Sequence, residues 1–120
     1  MKLTVSSKNL FEKLKLLSGV ISGNPILPIL GDFLFDLDGE VLTISSTDLD
    51  TSITTSIDVI SESHGKIAVP SKILLDTLKA LPEHPITFNI DSESFVITIT
   101  SAYGSYKLSG ENPDDFPKIK

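Results

Sequence analysis

The sequence predicts an α+β fold built from one β-α-β-β-β unit used twice, with two helices packed on one side of antiparallel sheet. Three observations predict it. Residues 3–17, LTVSSKNLFEKLKLL, return without a gap 64 positions later as residues 67–81, IAVPSKILLDTLKAL. Val5/Val69, Ser7/Ser71, Lys8/Lys72, Leu10/Leu74, Leu14/Leu78, Lys15/Lys79 and Leu17/Leu81 are identical, and Leu3/Ile67, Phe11/Leu75 and Glu12/Asp76 keep their character. Each copy opens on alternation and then changes to helical spacing. Each is followed by alternating apolar segments punctuated by turn residues, and repetition at this length marks one supersecondary unit used twice.

Taken in order, Leu3 and Val5 put one apolar face on a short strand. Ser6-Ser7 is a helix-start signal, because Ser can cap the free amides of a first turn. Leu10, Phe11, Leu14 and Leu17 then form one helical face. Gly19 can end the helix, and Gly23-Asn24-Pro25 is turn chemistry, with Pro25 and Pro28 excluding regular helix. Residues 29–37 read as extended, with Phe33, Phe35 and Leu37 on one face. Asp38-Gly39 is a hairpin signal leading to a return strand over 41–45. Residues 51–60 alternate again through Ile53, Ile57 and Val59. The second copy begins at Ile67, with Pro70-Ser71 as its start signal, and its helical face is Leu74, Leu75, Leu78 and Leu81. Residues 81–85 stop it, the strands over 86–90 and 95–100 flank an Asp91–Ser94 turn, and a final strand covers 103–109. The hairpins echo one another as well, Phe35–Glu40 with Phe88–Glu93 and Leu42–Ser45 with Ile97–Thr100. One domain over 1–120 is expected, with repeats at about 1–60 and 65–109 and a tail over 110–120.

Composition sets outer limits. A chain of 120 residues can bury a real core. No apolar run approaches the ~20 residues of a membrane helix. Met1–Val5 is too short in apolar residues for a secretory signal. There is no cysteine, hence no disulfide framework and no thiolate metal site, and the chain reads as cytoplasmic. The net charge of −6 argues against a simple basic nucleic-acid binder. It leaves room for a protein that gathers its few positive charges on one face.

Such a face is present in the repeat. Lys8, Glu12 and Lys15 lie in one stripe opposite the leucines of the first helix, as do Lys72, Asp76 and Lys79 in the second. One reading is a solvated face with ordinary Lys–acid pairs one turn apart. The other follows from the duplication. A pseudo-two-fold would set the helices side by side with both stripes pointing away from the sheet, converting two weak stripes into one basic shelf.

No catalytic set and no cofactor site emerge. His64 and His84 are isolated loop residues without a metal-ligating partner pattern. Asp36, Asp38 and Glu40 cluster at a hairpin but lack the spacing of a calcium loop. Asp48 and Asp50 could share a strand face as paired carboxylates, with no nucleophile or pocket suggested nearby. No glycine-rich phosphate loop occurs.

In Pro25-Ile26-Leu27-Pro28-Ile29-Leu30, Thr47-Asp48-Leu49-Asp50, the opening Met1-Lys2-Leu3-Thr4-Val5 and the closing Asp115-Phe116-Pro117, in this order and spacing, the chain resembles the bacterial replicative sliding clamp, the beta subunit of DNA polymerase III, over its first domain. The resemblance implies a DNA-clamp fold and a non-catalytic processivity factor. Three such domains make a chain, and two chains close head to tail into a ring around duplex DNA that tethers the polymerase. This chain then reads as a fragment of a three-domain protein, and the pocket for partner peptides lies in later domains. By position, Lys8, Lys15, Lys72 and Lys79 would face DNA phosphates, which carry no sequence information. Asn24 stands where some relatives have a basic residue that touches DNA. Tyr106 and Leu108 match positions that pack across the subunit joint, where an edge strand invites strand addition. Alternation alone equally allows them to face this domain's own core. Some relatives carry Arg around Tyr103 and Ser105, so their absence implies a joint with fewer ion pairs. The clamp loader, the polymerase and a homodimeric full-length ring are the implied partners, with the isolated domain mainly monomeric. A reading from another class is a stand-alone interaction module acting by strand addition at 103–109. A third is a small hydrolase using Asp48 or Asp50.

Overall fold

The first strand of each half belongs to the other half. In the structure, a computed structural model that describes residues 1–20, 31–47 and 51–116, β1 (Lys2–Ser6) leads into α1 (Ser7–Leu17), and β2 (Asp32–Asp38), β3 (Val41–Thr47) and β4 (Ser52–Asp58) follow. The second half repeats the order with β5 (His64–Pro70), α2 (Ser71–Lys79), β6 (Pro85–Ile90), β7 (Val96–Ser101) and β8 (Gly104–Ser109). The strands form two four-stranded antiparallel sheets, β1-β6-β7-β8 and β4-β3-β2-β5. Thus β1 pairs with β6, Leu3 opposite Phe88, while β5 pairs with β2, Ile67 opposite Phe35. The chain-order expectation of one sheet beneath the helices becomes two, each completed by a strand from the other repeat.

Further equivalent contacts confirm the symmetry. The only isolated bridges among the described residues join Thr4 to Ile60 and Ala68 to Glu111, and both lie at corresponding places in the two halves. Phe35 and Phe88, equivalent residues of β2 and β6, meet with ring centroids 6.1 Å apart. A residue in contact with its own repeat equivalent sits beside the pseudo-two-fold axis, so this pair marks the axis in the core. The two helices pack against each other over the same core. Leu10, Leu14, Leu17, Leu74 and Leu78 are all buried, together with the inward rows of both sheets.

Local chemistry explains most boundaries. Ser6 is the N-cap of α1, its Oγ accepting from the Asn9 amide at 3.4 Å, whereas Pro70 at the same place in α2 offers no side-chain cap. Ser6 Oγ also donates to Glu83 Oε1 at 2.5 Å on the surface, and the next residue carries the buried attachment. Ser7 Oγ donates to the Pro82 carbonyl at 2.9 Å and accepts from the His84 amide at 3.2 Å, and Ser71 Oγ donates to the Gly31 carbonyl at 2.6 Å. Both hydroxyls are buried, and each pins a helix start to the segment entering the other half's first hairpin strand. Gly19 does not end α1 by a left-handed turn. The helix instead tightens into a 3-10 turn over Ser18–Val20, and Ser46 Oγ donates to the Leu17 carbonyl at 2.9 Å. β3 runs two residues past the expected 41–45, because its ladder to β4 continues with Ser46 opposite Ile53 and Thr47 opposite Ser52. Gly39 turns the first hairpin at φ 61°. In the second, Asp91 Oδ1 accepts from the Glu93 amide at 2.9 Å, and the backbone N–H groups of Glu93 and Ser94 hold the Asp91 carboxyl below its usual range.

Ser7→Ala removes a buried hydroxyl with two partners, so it should lower unfolding free energy by about 1–3 kcal/mol, and Ser6→Ala, which loses an exposed cap bond and an exposed, solvent-screened bond to Glu83, by roughly 0.5–1 kcal/mol. Urea denaturation of the two variants measures the order. An equal or reversed effect would remove Ser7 as the inter-half pin.

Candidate nucleic-acid interface

The lysine stripes occupy the faces that the leucines leave outward. Lys8, Glu12 and Lys15 on α1 are exposed, as are Lys72, Asp76 and Lys79 on α2. Because the helices lie against one another over one core, these rows lie on one side of the molecule. All ten basic residues of the chain are lysines, and five of them, Lys13 included, are on the two helices against only Glu12 and Asp76. With a total of −6, the remainder of the chain is strongly acidic.

The reading of the stripe as internal Lys–acid pairs fails on distance. Among the described residues the single ion pair is Lys66 Nζ with Asp36 Oδ2, 3.9 Å, between β5 and β2 on the outer face of the second sheet. The helix ammonium groups therefore have no carboxylate within ion-pair distance among the described residues. Position along the helix separates them further. Lys15 and Lys79 are in last turns, where the helix macrodipole welcomes a cation. Lys8 and Lys72 are the second residues of their helices, and neither first turn contains an acid. There the free amides already present positive potential, so a cation is unfavourable to the helix itself. The same unfavourable choice made at both repeats produces a local field suited to anions such as phosphate. A lysine offers phosphate a point charge rather than the fixed bidentate fork of arginine.

Asn24 lies outside the described residues, as do the segment 25–30, Asp48 and Asp50. The edge residues are resolved. Leu108 is buried, with 6% of its surface exposed, and belongs to the domain's own core. Its repeat equivalent, Ile57 on β4, is buried in the same way. This burial belongs to the fold, so most of the Leu108 side chain is engaged by its own domain. Tyr106 shares the inward face, opposite Ile99, but lies at its margin, 36% exposed. Tyr103 is exposed in the β7–β8 turn and meets His84 edge to face, centroids 5.3 Å apart. β8 is an outer strand of its sheet, and β4 is its counterpart in the other.

No cluster of three or more His, Cys, Asp or Glu able to hold a metal occurs among the described residues. His84 Nδ1 is 2.7 Å from the Pro82 carbonyl and serves the Ser7 junction, while His64 is exposed at the start of β5. No described helix is long and apolar enough to cross a membrane.

Residues 1–120 match the family model of the DNA polymerase III beta subunit, N-terminal domain. The chain belongs to this family. It is 31% identical over 122 residues to a beta sliding clamp of Vibrio harveyi, covering all of this chain and 83% of that sequence. With the beta sliding clamp of Synechocystis it is 33% identical over 126 residues, covering 99% of this chain but 32% of the relative. Among solved structures, the DNA polymerase sliding clamp of Caulobacter crescentus superposes at TM-score 0.92 with 25% identity, and the DNA polymerase III beta subunit of Pseudomonas aeruginosa at 0.91 with 26%. Each matches the whole of this chain, which spans about a third of theirs, 33% and 32%.

Two buried features of the fold escaped sequence reasoning. The Ser7 and Ser71 pins were visible as identities in the repeat, but a serine at a helix start signals a cap, not a bond to a distant segment. Asp32, a single acid within the extended segment expected over 29–37, gave no sign of its burial.

Two stability measurements follow. Lys8→Glu or Lys72→Glu should stabilise the domain by about 0.3–1 kcal/mol at low salt, since an acid complements a first turn; a loss of stability would show that these lysines serve the fold. Leu108→Ala should cost about 2–5 kcal/mol in the domain without any partner, and an unchanged urea midpoint would return Leu108 to the joint.

Proposed function

We propose that this domain is one wall of a sliding ring, part of a processivity factor that encircles duplex DNA without sequence specificity and tethers the replicative polymerase. The observation that carries the reading is the set of four repeated, exposed lysines, Lys8, Lys15, Lys72 and Lys79, without internal carboxylate partners and with two placed against the interest of their own helices. Membership of the DNA polymerase III beta subunit family supplies the context: a three-domain chain, a head-to-tail homodimer, loading by a clamp loader, and partner peptides bound by domains beyond this one. The work is mechanical and non-catalytic, carried out in the bacterial cytoplasm. By family position alone, Asn24, outside the described residues, is assigned a contact with DNA.

The physics of the shelf suits sliding. Phosphate contacts made by mobile lysines are independent of base sequence and weaken with salt. Glu12 and Asp76 within the stripes limit the attraction, and the acidic remainder disfavours DNA on other faces. Retention is then a matter of topology. At the edge, we assign ring closure to the backbone of β8, with Tyr106 contributing at its margin. Strand addition at an unpaired edge supplies the contact. The same edge supports the second reading, a stand-alone interaction module acting through 103–109, which predicts no dependence on DNA topology.

The test uses the full-length ring on nicked circular DNA. Retention should persist until the DNA is linearised. Replacing all four lysines by alanine should shorten retention, leave the dimer intact, and reduce the salt slope of binding by up to about four. An unchanged salt slope would remove the lysines from the DNA-facing side. Binding indifferent to linearisation would favour the interaction module.

A further inference from the structure

The two halves diverge at one place that the repeat makes equivalent. On the outer face of the second sheet, Asp32, Leu34 and Asp36 of β2 alternate with the core residues Phe33, Phe35 and Leu37. Asp36 lies opposite Lys66 and pairs with it, and Asp38 lies opposite His64. Asp32 lies opposite Pro70, which supplies no charge and no N–H. In the first half the corresponding site is a surface groove, with Thr4, Ile60 and Pro85 along it and no buried charge. In the second half residues 110–116 cover it. Glu111 exchanges backbone bonds with Ala68, its amide donating at 2.9 Å and its carbonyl accepting at 3.2 Å. A helical turn over Pro113–Asp115 follows, and Phe116 packs on Ala68 and Leu34. Gly110 passes so close that a Cβ there would stand 2.8 Å from the Phe95 carbonyl and 3.0 Å from that of Ala68.

This cover buries a carboxyl beside a carboxyl. Asp32 is 5% exposed, its Oδ2 is buried without a donor among the described residues, and the Glu111 side chain is within hydrogen-bonding reach. Two carboxylates cannot satisfy each other, whereas a carboxylic acid and a carboxylate can, through a short charge-assisted bond. We propose that Asp32 keeps its proton and donates it in a hydrogen bond to the Glu111 carboxylate, and that this bond holds residues 110–116 against the second sheet, making the segment a pH-sensitive strap. The proposal does not depend on DNA binding.

The electrostatics agree. Burial first, and then the Glu111 charge and hydrogen bond, push the Asp32 carboxyl from 3.8 up to about 7. The surrounding charges do not offset this. Lys66 is engaged by Asp36, His64 is opposite Asp38, Lys72 at the start of α2 is exposed, and the strap's own Asp114 and Asp115 are exposed acids. A pKa raised in the folded state means that the folded domain binds more protons than the unfolded chain between about pH 4 and 7, so stability falls as pH rises across that window. Above it both groups are charged and the strap is held by Phe116 and the Ala68–Glu111 bridge alone.

The experiment is an NMR titration of the full chain from pH 5 to 9, following the Asp32 carboxyl carbon and the Glu111 and Phe116 amides. All three should move with one midpoint near 7, and exchange protection of the Glu111 amide, corrected for intrinsic rate, should fall about tenfold or more through it. Asp32→Asn places an N–H donor where the proton was, so the strap should stay protected at every pH. Glu111→Gln should do the same if the first variant folds poorly. An Asp32 midpoint near 4 would overturn the proposal, as would a Glu111 amide equally protected throughout. Redocking at pH 8.5 on adding millimolar Mg2+ or Ca2+ would also overturn it, by giving the site to a cation.

Discussion

Pairing of β1 with β6 and of β5 with β2 is the constraint on which the other features rest. A three-stranded sheet with one helix has an open edge and half a core. Exchanging the first strands closes one edge of each sheet and joins the halves through backbone hydrogen bonds, not only through side-chain contact. Phe35 and Phe88 meet because the exchange brings β2 and β6 together at the axis. The helices follow directly from the exchanged strands, so they are drawn to the same side and against each other. The buried Ser7 and Ser71 hydroxyls then fix each helix start to the opposite half.

Much of this was legible in the sequence because repetition and period are local signals. The 64-residue shift located both helices and both first strands, and alternation located the hairpins to within a few residues. Strand exchange was not legible, since Leu3 and Ile67 have the same face toward the core whichever sheet receives them. The stripe lysines could be read by position, but their freedom from carboxylate partners required distances. For Leu108 alternation marked a face but not its cover, and the structure buries it in the domain's own core as it does Ile57. Asp32 illustrates the opposite limit. Its burial is created by residues some eighty positions later, and no pattern around it changes when they arrive.

Charge in this chain is distributed by layer. Five of ten lysines lie on the two helices, which carry two of sixteen acids. The outer sheet faces instead present hydroxyl pairs across strands, Thr4 with Thr87 and Ser45 with Thr54, each at 3.0 Å. Such pairs stabilise a sheet face without a net field. The result is a molecule whose potential changes sign between its helical layer and the rest, although its total is negative. A duplicated unit reaches that arrangement economically, because any lysine favoured in one helix is written into the other.

The exchanged first strand also governs the order in which the chain can fold as it leaves the ribosome. Lys2 pairs with Asn89 and Val5 with Ile86, so β1 has no ladder partner until three-quarters of the domain has been synthesised. Until then Leu3 and Val5 are an apolar edge in waiting, followed by a helix whose leucines lack half their cover. Contacts this distant in sequence slow folding and lengthen exposure. The nascent amino-terminal half is therefore the stretch exposed longest, and the arrival of β6 is what covers it.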